Sequence, residues 1–188
     1  MVIVGLIIVL ENKKMNNYYR VFDPTFINYD CKNILELCNH YTSNNLWEDI
    51  YPGINLNSKR SSKDFLLTDI KLIIDSFDPS LNITYKQSQL FQMLPNQQGI
   101  LHKDTDRKCG ILFPITPIKN NFSPILFYDD NKNMVNEINY GNQAIIINVL
   151  KYHNVKKTNH VRINFQIDLN IKFEEVISLY NEGKLFRE

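Results

Sequence analysis

The sequence predicts an α+β chain in which helices flank an antiparallel jelly-roll core. Three observations carry this. Residues 1–81 hold helical periodicities and read as a mainly helical support; residues 82–168 break into short apolar runs bounded by turn residues; an amphipathic stretch covers 172–186. No long helical pattern separates the short runs, which argues against the crossover connections of a parallel sheet. With 188 residues and no repeat or linker composition, a single domain over 1–188 is expected.

The opening "MVIVGLIIVLE" reads as a buried strand. Its apolar run is far short of the ~20 residues that span a bilayer, and it has neither a basic flank nor a small-residue cleavage site. A second reading takes Met15 as the native start. In "CKNILELCNHYTSNNLWEDI", Ile34, Leu35, Leu37, Cys38, Tyr41 and Leu46 follow helical spacing, with a break near Ser43. In "SSKDFLLTDIKLIIDSF", Ser61 and Asp64 resemble a capping box ahead of the stripe Phe65, Leu66, Ile70, Ile73 and Ile74. "DPS" at 78–80 ends it. Strands are then expected in "NITYKQSQLFQML", "ILHKD", "CGILFPI", "SPILFYDD", "GNQAIIINVL" and "HVRINFQIDL". The last alternates cleanly, with Val161, Ile163, Phe165 and Ile167 on one face and Arg162, Asn164 and Gln166 on the other. Phe173, Val176, Ile177, Tyr180 and Leu185 form the stripe of a closing helix.

Apolar residues make up 44% and charged residues 22%, values of an ordinary globular protein. A formal charge of +1 supplies no basic face for nucleic acid, and Lys156 and Lys157 fit a solvated loop. Phe122, Phe127 and Tyr128 read as core aromatics. Three cysteines without CxxC spacing form no disulfide framework and point to a reducing, cytoplasmic setting. No membrane partner is expected, and the sequence does not encode an oligomeric state.

The chemistry concentrates in "ILHKDTDRK", where His102 stands two residues before Asp104. Residues i and i+2 of a strand point to one side, so an H-x-D pair can reach one ion together. Two imidazoles and a carboxylate take one face of an iron site and leave the other positions open. The third ligand has to come from His40, His153 or His160. His153 follows an apolar strand, and Arg162 lies nine residues beyond it on the polar face of the next. A guanidinium there can hold a carboxylate through two parallel hydrogen bonds. Taken singly, each has a plain structural reading: Asp104 or Asp106 as a turn cap, His153 as a strand-end histidine, Arg162 as a structural arginine. Together they describe a metal centre beside an anion clamp. His160 would crowd that clamp and reads as supporting or exposed, and His40 as structural.

"HKD", then "YHNV", then Arg162 resembles the H-x-D…H…R signature of the 2-oxoglutarate and Fe(II)-dependent dioxygenase superfamily, nearest its prolyl-hydroxylase-like branch. The resemblance covers about residues 82–168, which correspond to that family's double-stranded β-helix core. It implies His102, Asp104 and His153 as the catalytic Fe(II) ligands, and Arg162 as the partner of the distal carboxylate of 2-oxoglutarate. Asn164 stands where some members support that carboxylate. Gln92, ten residues before His102, stands where relatives often have a tyrosine touching the cosubstrate, and Tyr128 is a further pocket candidate. The implied reaction uses O2 and hydroxylates an unactivated C–H bond of a peptidyl residue or small molecule, releasing succinate and CO2. An aspartate at 104 argues against the halogenating relatives. Two alternatives stay open: a cupin-like metal enzyme that does not use 2-oxoglutarate, and a non-enzymatic jelly-roll binding or virion-associated protein. Substrate selection is expected in the segments 43–60 and 117–124.

Overall fold

The computed structural model describes residues 16–27, 30–49, 58–61, 68–115 and 124–187, and among these it has ten strands and three helices. Strand β1 (Tyr19–Phe22) precedes helix α1 (Cys31–Ser43), and β2 (Trp47–Asp49) and β3 (Ser58–Ser61) precede helix α2 (Thr68–Asp75). Then come β4 (Ser88–Met93), β5 (Cys109–Pro114), β6 (Ile125–Tyr128), β7 (Met134–Ile138) and β8 (Ala144–Ile147). β9 (Tyr152–Val155), β10 (Arg162–Leu169) and helix α3 (Phe173–Asn181) complete the order. A seven-stranded sheet runs β1-β8-β5-β10-β4-β3-β2, and a three-stranded sheet runs β7-β6-β9. Their pairings are antiparallel. The expected α+β jelly roll with flanking helices is the architecture found.

β10 shows why the layers form. It lies between β4 and β5, and its alternation sends Ile163, Phe165, Ile167 and Leu169 into the main apolar core. There they meet Ile34 and Cys38 of α1, Ile70 and Ile73 of α2, and Phe173 and Val176 of α3. The helices thus cover the outer face of the large sheet. Its inner face supplies Leu112, Ile145 and Ile147 to a second cluster, with Ile125 and Phe127 of the small sheet and with Tyr140. A cavity of about 610 Å³ opens beside that cluster, against the polar face of β10.

The helices follow local chemistry. Asp30 caps α1 by accepting from the Lys32 amide at 2.7 Å, and Asp69 of α2 accepts from the Asp30 amide at 3.0 Å and Asn33 Nδ2 at 3.1 Å. α1 ends at the expected break, and Asn45 turns the chain with φ 54°. Ser61 is the last residue of β3, while Asp64, Phe65 and Leu66 lie outside the described residues, as does the apolar opening run. The first 81 residues also contribute three strands to the large sheet, besides the two helices expected there. α3 stops at Asn181, short of the expected 186. Gly183 takes φ 70°, the Gly183 and Lys184 amides donate to the Tyr180 and Leu179 carbonyls, and Leu185 turns back into the core. No disulfide joins the three cysteines, and no helix among the described residues is long and apolar enough to cross a membrane.

Candidate metal centre

A single backbone bridge brings the two histidines together. The His102 amide donates to the His153 carbonyl at 3.1 Å and the His153 amide donates to the His102 carbonyl at 2.8 Å. Such a doubly bonded antiparallel pair sets the two side chains directly opposite on one face. Their ring centroids are 4.5 Å apart. The chain reaches this position through Gly99, whose amide donates to the Val155 carbonyl at 2.9 Å. A Cβ at 99 would stand 2.9 Å from the Val155 nitrogen, so only glycine lets the segment lie this close to β9.

Each imidazole is oriented by its own backbone. His102 Nδ1 donates to the Ile100 carbonyl and His153 Nδ1 to the Lys151 carbonyl, both at 2.8 Å. A carbonyl only accepts, so Nδ1 carries a proton, and in the neutral ring Nε2 is the nitrogen with the lone pair. Burial, and then the neighbouring His102, lowers the pKa of His153 to about 4 and keeps the ring neutral. Asp104 joins them from beyond the bridge, its amide donating to the Val149 carbonyl at 2.9 Å. The shared strand face expected for H-x-D is therefore replaced by a bridge followed by a turn. One ligand atom each of His102, Asp104 and His153 lies within 4.8 Å of the others, and Asp104 Oδ1 is 3.7 Å from His102 Nε2. Two imidazoles and one carboxylate at the wall of an open cavity are a donor set that fits Fe(II).

The same cavity holds the residues expected to form the clamp. Arg162 and Asn164 line it with His102, Asp104 and His153. Arg162 is fully buried. Its Nη2 donates to Tyr140 Oη at 2.5 Å. With its amide oxygen toward the guanidinium, Asn164 accepts from Nε at 3.0 Å and Nη2 at 3.1 Å and donates to Tyr140 Oη at 3.2 Å. Buried charge is costly unless hydrogen-bonded, and a carboxylate is the anion that a guanidinium fork fits.

Gln92 stands apart. It is in register with Ile163 on the opposite face of the sheet, while Phe91 and Met93 line the cavity. The expectation of a cosubstrate contact is corrected here, because an offset counted from His102 does not fix which way a β4 side chain points. Tyr128 hydrogen-bonds Asn154 at 3.4 Å and reaches the cavity wall only through it. His160 meets Asn159 at 3.2 Å, and His40 is exposed on α1, where it meets Asn44. Tyr140 was not legible as a site residue, since it sits between strands where no periodicity marks it.

No family model matches the chain, and no curated protein does. Solved structures share its fold. A prolyl hydroxylase from Trichoplax adhaerens, in complex with a hypoxia inducible factor oxygen degradation domain peptide fragment, has a TM-score of 0.58 and 16% identity, covering 87% of each chain. A prolyl-4-hydroxylase from Pseudomonas putida has a TM-score of 0.57 at 5% identity, over 82% of this chain and 94% of that one. A prolyl 4-hydroxylase structure from Phytophthora capsici has a TM-score of 0.52 at 12% identity, over 89% and 68%. At such identities the likeness is one of fold. The chain adopts the double-stranded β-helix of these oxygenases.

Proposed function

We propose that the protein is an Fe(II)- and 2-oxoglutarate-dependent oxygenase that hydroxylates an unactivated C–H bond, releasing succinate and CO2. One observation carries this: two oriented imidazoles, a carboxylate and a buried arginine face the same cavity. His102, Asp104 and His153 would hold Fe(II) through Nε2, Oδ1 and Nε2. Arg162, steadied by Tyr140 and Asn164, would bind the distal carboxylate of 2-oxoglutarate. Fe(II), with O2 and the oxoacid, supplies the oxidising power; the chain supplies position and shelter. Leu112, Ile125 and Ile147 form the dry side of the cavity, and Lys86 and Lys103 stand at its exposed edge. The primary substrate is a peptidyl residue or a small molecule. The peptide bound to the Trichoplax enzyme makes a peptidyl residue the first class to test.

The test is an anaerobic titration with Fe(II) and then 2-oxoglutarate, following the visible charge-transfer band of the chelate. The band is expected in the wild type, weakened in Arg162→Ala and absent in His153→Ala. Iron binding without a band would favour a cupin-like enzyme that does not use 2-oxoglutarate. No iron binding would remove the enzymatic reading.

A further inference from the structure

Arg107, in the loop after Asp104, is held between two acids. Its Nε donates to Asp104 Oδ2 at 2.8 Å, and its Nη1 donates to Asp168 Oδ1. Asp168 lies on the cavity face of β10, six residues beyond Arg162, and accepts from two further groups. These are Gln166 Nε2 at 2.8 Å and Gln89 Nε2 at 3.3 Å. Both ends of the loop are fastened to the sandwich, through the Asp104 amide on Val149 and the Lys108 amide on the Leu169 carbonyl at 3.0 Å. The guanidinium therefore spans carboxylates from two separate elements, a task that suits a planar fork and not a point charge.

We infer that Arg107 and Asp168 are positioning residues that set which oxygen of Asp104 a metal receives. Arg107 occupies Oδ2, which leaves Oδ1 turned toward His102. A cation beside a metal site would by itself oppose metal binding. Asp168 offsets that charge, so the bridge orients Asp104 without adding net positive charge beside it. Outer partners of this kind fix ligand geometry and contribute to affinity. The inference rests on the metal centre proposed above, and the experiment separates the two.

Metal-free wild type, Arg107→Ala, Arg107→Lys, Asp168→Asn and His153→Ala are titrated with Co(II), reading the visible d–d bands. Circular dichroism checks that each variant is folded. Arg107→Ala is expected to bind about 10- to 100-fold more weakly. Its band envelope should also change, because Asp104 is then able to offer both oxygens. Arg107→Lys should restore little of either, and Asp168→Asn should weaken binding with the fold intact. Wild-type affinity and spectrum in Arg107→Lys and Asp168→Asn would overturn the inference, even if Arg107→Ala failed to fold. Equal Co(II) binding by wild type and His153→Ala would instead overturn the metal centre, and this inference with it.

Discussion

At the scale of single residues, the site is a set of short, directed contacts, and the least replaceable is the one around Arg162. Tyr140→Phe removes one of the two acceptors of Nη2, the other being Asn164, from a fully buried guanidinium. A hydrogen bond to a charged group contributes about 1.5–3 kcal/mol, so a stability loss of that order is expected by urea unfolding. The charge-transfer band should then need more 2-oxoglutarate to saturate. Wild-type stability and saturation in that variant would show that Tyr140 only fills space. The residues that were legible in the sequence are those whose chemistry and position coincide: a histidine beside an aspartate, a second histidine after an apolar run, an arginine on an alternating strand. Arg107 and Asp168 were not. In "DTDRK" the plain reading was Asp104 or Asp106 as a turn cap, and only the fold brings Asp168 of β10 against Arg107. Gln92 misled for a related reason: distance along the chain is not direction in space.

At the scale of elements, the close approach of 99–102 to β9 decides where His102 sits. In Gly99→Ala the added methyl meets backbone, which cannot move aside as a side chain does. The segment has to lift, at a cost of about 1–3 kcal/mol, and the bridge to His153 loosens with it. Thermal melting should show the loss, and Fe(II) should bind more weakly than to wild type. Tight iron binding in a destabilised variant would mean that the bridge does not set the ligands. β10 was readable because one face is core and the other cavity, so apolar and polar residues alternate without exception from Val161 to Gln166. β7 was not readable. Its residues are exposed or half-buried, and "MVNEI" carries no alternation to find. β1 is four residues at a sheet edge, too short for a pattern to rise above its surroundings.

At the scale of the whole molecule, ligands that bind only the folded state should raise its stability. With Fe(II) and 2-oxoglutarate held near 100 times their dissociation constants, each contributes about 2.7 kcal/mol. Melting curves should shift upward with both together, a chelator should reverse the shift, and Arg162→Ala should lose the 2-oxoglutarate increment. A melting temperature indifferent to both would contradict the site. The jelly roll itself was legible from the rhythm of short runs after residue 82; the pairing order was not, because antiparallel partners such as β1 and β8 lie far apart in sequence. One further consequence follows from how the sandwich divides its work. His102 and His153 belong with the small sheet, Arg162 and Asn164 with the large one. A molecule grasped by both would act as a clasp across two leaves of a book. Its loss would leave the two leaves joined by the protein's own contacts alone.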